Sequence, residues 1–222
     1  MARKIIKNIV CPKCNKEVEI KAYESINVTL NEQIRKKVMD EDIFYFKCEN
    51  CKKKFEVTYP FLYNDMENKL MVYFIPNENM NTVDTTQIKQ KSLLKEIDKR
   101  VVSSVNELKE KVIIKDFSLD DMAMELTKFA VSRVQEKKNN KKVNSIYFCK
   151  VDKKTNKLVF AIFFASDKKP VFKEVEFEVY EKAHHITQGF AKDYIKTNNF
   201  ITIDLSFAKE ILDRYNQNKK KR

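Results

Sequence analysis

Four of the five cysteines form two C-x-x-C pairs, Cys11-Pro-Lys-Cys14 and Cys48-Glu-Asn-Cys51. In this spacing a tight turn presents two thiolates as two corners of a tetrahedron, and two such turns complete the coordination of one ion. We therefore predict that Cys11, Cys14, Cys48 and Cys51 bind one structural Zn(II), with tetrathiolate iron as the less favoured metal. A dithiol redox motif is the other alternative, but it needs only one pair, at the start of a helix.

The predicted centre is structural because four thiolates leave no coordination position for water or substrate. Four thiolates around a divalent ion carry a formal charge of about −2, which neighbouring ammonium groups can offset. The lysines close to the two pairs in sequence are Lys13, Lys16, Lys47 and Lys52 to Lys54. These lysines therefore have a local role that does not require nucleic acid.

No catalytic residue is predicted. Cys149 lies in the strand-like segment Ile146–Val151, where a small buried hydrophobic role is favoured. The only histidines, His184 and His185, are adjacent, so on a helix they point in different directions and make a poor ligand pair. We expect both at the surface. The sequence shows no nucleophile–base set and identifies no small-molecule substrate. Enzymatic activity remains an alternative because active sites also assemble from residues that are distant in the chain.

Each cysteine pair is predicted at the tip of a β-hairpin. The flanking strand-like segments are Ile5–Val10 and Val18–Tyr23 for the first pair, and Ile43–Phe46 and Phe55–Tyr59 for the second. The residue after the second cysteine of such a turn often needs a positive φ. Asn15 adopts this conformation readily, whereas Lys52 does so at a cost.

The pattern of elements predicts an α+β protein: an N-terminal zinc-ribbon-like β domain with an inserted short helix, then helices packed on an antiparallel sheet. The predicted parts are the ribbon-like domain at 1–76, a helical segment at 77–136, an α+β region at 143–217 and a basic tail at 218–222. The Asn- and Thr-rich stretch 77–86 is predicted to be a linker or loop.

Capping residues and apolar periodicity place the individual elements. The predicted helices are 31–39 capped by Asn31, 104–115 with a capping box at Ser104, 119–136 capped by Ser118, 183–196 and 207–215. The predicted strands are Leu70–Ile75, Ile146–Val151, Leu158–Ala165, Phe172–Val179 and Phe200–Ile203. Leu158–Ala165 is apolar at nearly every position, so it should be central in its sheet.

Composition limits the classes of function. The only glycine is Gly189, which argues against phosphate-binding loops and nucleophile elbows, because these need several glycines. No apolar run is long enough to span a bilayer, so we expect a soluble cytoplasmic protein.

The net charge of +12, from 44 basic and 32 acidic residues, favours a polyanionic partner. Only six of the basic residues are arginine, and a lysine-, asparagine- and isoleucine-rich composition also arises from an AT-rich genome. Lysines near the cysteine pairs, the loop at 137–142 and the tail are the candidate nucleic-acid contacts.

Several segments together resemble the bacterial CpXC-domain family. They are Cys11-Pro-Lys-Cys14, Ser25–Leu30, Phe46–Cys51, Tyr59–Met66, Val101–Lys111 and Leu119-Asp-Asp121, which together span about residues 9–128. The resemblance implies a zinc-ribbon-like site built from the two cysteine pairs and implies no catalytic residues. The chain differs from the family pattern at Glu49, where proline is expected, and at Asn15 and Lys52, where glycine is usual.

The sequence thus supports two functional hypotheses. The first is a zinc-stabilised, non-catalytic interaction or scaffold protein that binds protein partners or itself. The alternative is weakly specific nucleic-acid binding through the lysine-rich surface and tail.

Overall fold

The computed structural model describes residues 2–76, 97–195 and 199–220. The chain divides into two compact units, residues 1–109 (unit 1) and 110–222 (unit 2). The predicted linker at 77–86 lies outside the described residues. The domain boundaries drawn from the sequence stay predictions. The mixed α+β class is confirmed, since helices and sheets occur in both units.

Unit 1 contains a mixed five-stranded sheet. Its strands are β1 (Arg3–Val10), β2 (Glu17–Asn27), β5 (Phe61–Asp65), β6 (Leu70–Phe74) and β7 (Asp98–Val102), in the order β1-β2-β5-β6-β7. The pairs β1/β2 and β5/β6 are antiparallel, whereas β2/β5 and β6/β7 are parallel. A separate antiparallel ribbon consists of β3 (Tyr45–Lys47) and β4 (Lys54–Glu56). The assignment of this unit to the zinc-ribbon fold stays a prediction.

Aromatic packing connects the ribbon to the sheet within unit 1. The predicted helix is present as α1 (Glu32–Met39), and the Asn31 side chain accepts a hydrogen bond from the Ile34 N–H as its N-cap. A short 3-10 turn follows at Asp42–Phe44. The Phe44 ring lies 5.6 to 6.1 Å from three other rings, those of Tyr59, Phe61 and Phe74. These rings fill the core beside the ribbon and fix its position.

Unit 2 packs helices against one face of a three-stranded antiparallel sheet. The helices are α2 (Val105–Asp116, which spans the unit boundary), α3 (Asp121–Asn139), α4 (Phe177–Phe190), α5 (Lys192–Ile195) and α6 (Leu205–Lys220). The strands are β8 (Val143–Asp152), β9 (Lys157–Phe164) and β10 (Val171–Glu176), in the order β10-β9-β8. The prediction that the 158–165 segment is central is confirmed.

The strand predicted at Phe172–Val179 is too long. β10 ends at Glu176 and α4 begins at Phe177. Alternation of apolar and acidic residues favours a strand, but Tyr180, Ala183 and Thr187 are buried with helical spacing. Burial of this helical face determines the conformation. Glu178 therefore lies on an exposed helical surface, where it pairs with Lys182 at 2.7 Å, and not on a strand.

The predicted cap of α3 is also wrong. Asp120 is the N-cap, and its side chain accepts a hydrogen bond from the Ala123 N–H at 2.8 Å. Ser118 instead has a φ of 55° and ends α2, where its N–H donates to the Lys115 carbonyl. The short connection between the helices must first terminate α2 in the left-handed conformation, which leaves the cap of α3 to a later residue.

Four further differences concern the C-terminal half. The helix predicted at 183–196 is two helices, α4 and α5, and the strand predicted at Phe200–Ile203 is reduced to a single bridge residue, Ile201. Residues 218–220, expected in a tail, form the end of α6. On α3, Ala130 and Val134 continue the apolar periodicity from which the helix is predicted, but both are exposed. The helix is buried on all sides only from Asp121 to Lys128.

Candidate metal centre

The first cysteine pair lies at the tip of the β1–β2 hairpin. The Asn15 N–H donates to the Cys11 carbonyl and the Cys11 N–H donates to the Lys16 carbonyl, both at 2.9 Å. Asn15 has a φ of 57°, as the sequence predicts. Asparagine tolerates this left-handed conformation better than most residues, so the turn that presents Cys11 and Cys14 is closed with little strain.

The second pair repeats the same backbone pattern between β3 and β4. The Lys52 N–H donates to the Cys48 carbonyl at 2.8 Å, and the Cys48 N–H donates to the Lys53 carbonyl at 3.0 Å. Lys52 has a φ of 60°, a conformation that costs about 1–2 kcal/mol for a residue with a Cβ atom. We call the two turns, residues 11–16 and 48–53, the first and second knuckles.

The four sulfur atoms of the knuckles converge. The Sγ atoms of Cys11 and Cys51 are 3.9 Å apart, those of Cys14 and Cys48 are 3.7 Å apart, and all four lie within 4.8 Å of one another. Four sulfurs bonded to zinc at about 2.3 Å would lie about 3.8 Å from each other. The cluster therefore has the dimensions of a tetrahedral thiolate site and is far too open for disulfides.

Backbone N–H groups already favour a thiolate at one corner. The N–H groups of Cys51 and Asn50 lower the pKa of the Cys48 thiol to about 6, against burial, which acts to raise it. At Cys14 the Lys16 N–H acts to lower the pKa, but burial and the other three thiols raise it to about 11. The metal-free cluster thus retains protons at neutral pH, and binding of a metal ion must release them.

The cluster combines buried sulfur atoms with exposed lysines nearby in the sequence. Cys11 and Cys48 are fully buried, while Cys14 and Cys51 are partly exposed. The six lysines that the sequence places around the knuckles, Lys13, Lys16, Lys47 and Lys52 to Lys54, are all exposed. Their ammonium groups can therefore offset a negative metal centre while staying hydrated.

The other sequence candidates lie outside the cluster. Cys149 is half-buried on β8 and not fully buried as predicted, and burial raises the pKa of its thiol. A register shift in β8 between Phe148 and Lys150 leaves Cys149 at a bulge, which explains its partial exposure. His184 is partly exposed and stacks 5.9 Å from the Tyr180 ring, and His185 is exposed, as expected.

Sequence reasoning missed a group of buried charges in unit 2. The Lys128 ammonium lies 2.8 Å from carboxylate oxygens of both Glu110 and Glu125. Glu110 also accepts the Phe148 N–H at 2.6 Å. A second buried pair joins Lys111 to an acidic residue of α3, Asp121, at 2.7 Å. The only signal in the sequence is that charged residues interrupt the apolar stretch of α3.

The fold and the knuckles define an α+β protein whose four-cysteine cluster can hold a metal ion. The model of the CpXC protein family matches residues 9–128, which is more than half of the chain and includes both knuckles. The chain therefore belongs to the CpXC family. No curated protein and no solved structure matches it. Within the described residues, no helix is both long and apolar enough to cross a membrane.

Proposed function

We propose that the protein is a non-catalytic interaction module in which one Zn(II), held by the four knuckle cysteines, fixes the second knuckle against the β1–β2 hairpin. The observation that carries this proposal is the convergence of four sulfurs from two hairpins, with Cys14 and Cys48 34 positions apart. A shell of four thiolates has no open position for substrate or water. A zinc ion at this site would therefore stabilise the fold and would not take part in catalysis.

A groove beside the metal centre is the surface that zinc binding would keep accessible to a partner. It has a volume of about 360 Å³. The hairpin contributes Ile6, Glu17, Val18, Glu19 and Lys21, and the second knuckle contributes Glu49 and Asn50. The Asn50 side chain reaches the Glu17 carbonyl at 3.4 Å, which is long for a hydrogen bond. Metal coordination would therefore be a stronger link between the second knuckle and the hairpin than this side-chain contact.

The chemistry of the groove favours a protein segment with both apolar and basic side chains. Ile6 is 65% exposed and Val10, on the same face of β1, is 59% exposed. Exposed aliphatic side chains next to a groove are typical of interaction surfaces. Three carboxylates, those of Glu17, Glu19 and Glu49, and one ammonium group, that of Lys21, line the groove. Glu49 is paired with Lys52 at 3.1 Å, so Glu17 and Glu19 are the carboxylates that would attract a cationic partner segment.

Metal analysis of the reduced full-length protein tests the metal site. We expect one zinc per chain, loss of zinc in Cys48→Ser because ligand loss removes binding free energy that is coupled to folding, and unchanged zinc in Cys149→Ser. Iron in place of zinc would contradict the metal identity. A change of zinc content in Cys149→Ser would contradict the ligand set.

Quantitative mass spectrometry of proteins that co-purify with the full-length chain tests the groove. Ile6→Glu should deplete the same proteins as Cys48→Ser. The matched control is Val134→Glu, since Val134 is also an exposed aliphatic residue, at 62%, but lies on α3. Equal depletion by Ile6→Glu and Val134→Glu, or by neither, would contradict the proposal. If light scattering finds a wild-type dimer that Ile6→Glu dissociates, the partner is a second copy.

A further inference from the structure

Within the described parts of the chain, the helices of unit 2 cover only one face of its sheet. The inward residues of β9, Leu158, Phe160, Ile162 and Phe164, are at most 4% exposed and pack against α2, α3 and α4. Alternation along the strands places Lys157, Val159, Ala161 and Phe163 on the opposite face. We call that opposite side the outer face.

Three aromatic side chains, one from each strand, share one end of the outer face. Tyr147 on β8 and Phe172 on β10 both pair with Ala161 of β9, so they flank a small residue in the same row. Adjacent strands are about 4.8 Å apart, which places the two aromatic residues about 10 Å from each other. The Phe163 ring lies 6.0 Å from the Tyr147 ring in an edge-to-face arrangement. Ala161, which is 8% exposed, thus lies between two aromatic side chains on this face.

The exposure of these rings is unusual for apolar side chains. Phe172 is 64% exposed, and Tyr147 and Phe163 are partly exposed. The buried Lys128 ammonium lies 5.9 Å from the centroid of the Tyr147 ring. Phe172 is therefore the most accessible of the three aromatic side chains.

Lysines surround the same end of the sheet. Lys168 and Lys169 are exposed in the β9–β10 loop, and the exposed Lys142 precedes β8, where its carbonyl accepts the Ala165 N–H. None of these three ammonium groups takes part in an ion pair among the described residues. The acidic residue of this loop, Asp167, is neutralised by Lys141 at 2.7 Å. The aromatic end thus carries an uncompensated positive charge.

The other end of the outer face carries charges of both signs. Glu174 and Glu176 lie on β10 beyond Phe172, and Glu176 pairs with Lys157 at 2.9 Å. Lys150 pairs with Val159 in the same row as Glu174, and the exposed Lys153 and Lys154 lie in the adjacent turn. The two ends therefore differ mainly in the aromatic side chains, which only the first end presents.

We propose that the aromatic end of the outer face binds single-stranded nucleic acid, with bases stacked on Phe172, Tyr147 and Phe163 and with phosphates contacted by Lys142, Lys168 and Lys169. Stacking of unpaired bases on aromatic residues of a sheet, beside a basic rim, is an established mode of single-strand recognition. A duplex cannot offer its base faces to such a surface. This activity goes beyond the zinc-dependent interaction proposed above, because all of its residues belong to unit 2.

Fluorescence anisotropy with the full-length protein and labelled 12-nucleotide oligo(dT) and oligo(U) probes tests the proposal. We expect both probes to bind at low salt and the matched duplex to bind more weakly. Lys168→Gln/Lys169→Gln should reduce the slope of log affinity against log salt by about 1.4, because each phosphate contact on a single strand contributes about 0.7. The matched control is Lys153→Gln/Lys154→Gln, which removes two exposed lysines from the turn at the other end of the sheet. The control should leave the slope unchanged.

A second pair of variants tests stacking separately from charge. Phe172→Ala should weaken binding of the single-stranded probe about 5- to 150-fold, the range for loss of one base–aromatic stack, while Phe172→Tyr should keep most of the affinity. Truncation of a side chain that is 64% exposed should not unfold the protein, and circular dichroism checks this.

Three results would overturn the proposal: no binding of either single strand at low salt, equal weakening by the two lysine double variants, or wild-type affinity in Phe172→Ala. Dissociation of a dimer by Phe172→Ala would instead identify the outer face as a self-association surface.

Discussion

The buried Lys128 ammonium provides a sharp test of the energetics of unit 2. Among the residues that the structure describes, it is the only cation paired with the carboxylates of Glu110 and Glu125, whose side chains are 3% and 10% exposed. Each 2.8 Å contact corresponds to about 6 kcal/mol of gross Coulomb attraction at an effective dielectric constant of about 20. Burial acts to lower the pKa of Lys128, but the two carboxylates outweigh burial and raise it. The lysine is therefore charged in the folded protein.

Replacement of Lys128 by methionine keeps the volume of the side chain and removes the charge. Two carboxylates then share a buried site without a cation, and we expect the free energy of unfolding to fall by about 3–5 kcal/mol. Urea unfolding monitored by circular dichroism measures the change. The control on the same helix is Arg133→Gln, whose 3.4 Å pair with Glu136 is 62% exposed on the arginine side and is expected to contribute less than about 1 kcal/mol.

The pH dependence of Lys128→Met identifies the cause of the loss. Burial raises the pKa of Glu110 above its ordinary value, while Lys128 opposes this shift. A carboxyl group whose pKa is raised in the folded state binds more protons there than in the unfolded state. Its contribution to stability is therefore lost as the pH rises above its pKa in the unfolded state. Because the variant lacks the opposing ammonium, its deficit relative to wild type should be smaller near pH 5 than near pH 8.

Two results would refute this reasoning. One is a loss in Lys128→Met no larger than that in Arg133→Gln. The other is a deficit that does not change with pH. Glu110→Gln in the Lys128→Met background separates charge from packing, since it removes one uncompensated carboxylate while the glutamine oxygen can still accept the Phe148 N–H. We expect this second substitution to recover part of the lost stability.

Three further substitutions test local features, each by urea unfolding of the zinc-loaded protein. Lys52→Gly should raise the free energy of unfolding by up to about 1 kcal/mol because the φ of 60° at Lys52 favours glycine. Asn15→Gly should change the free energy of unfolding little. A loss of stability in Lys52→Gly would contradict the backbone strain at Lys52. Asp120→Ala should lower the free energy of unfolding by about 1 kcal/mol through loss of the α3 cap. An equal loss in Ser118→Ala would contradict Asp120 as the cap and favour Ser118. Tyr59→Phe should cost about 1–2 kcal/mol because its buried hydroxyl donates to a main-chain carbonyl at 3.0 Å; an unchanged stability would count against that hydrogen bond.

Local features were predicted well because their signals lie within a few residues of one another. The capping box at Ser104 is present, with the Glu107 N–H donating to the Ser104 hydroxyl and the Ser104 N–H donating to the Glu107 carboxylate. The positive φ values at Asn15 and Lys52 follow from the geometry of a C-x-x-C turn. Errors arose where two periodicities overlapped, as at Phe177, where a strand-like alternation continues into a helix.

The sequence by itself determined the two knuckles, the α+β class and the central place of β9, because residue type and spacing set turn geometry and the periodicity of burial. Only the tertiary structure brought Cys11 to within 3.9 Å of Cys51, placed Lys128 between two carboxylates and aligned Tyr147 with Phe172 across Ala161. Apart from Glu125, which is three residues from Lys128 on the same helix, the residues that meet in these contacts are distant in the chain. Which distant surfaces meet depends on strand order, register and packing of the whole core, and no short pattern of residues encodes that.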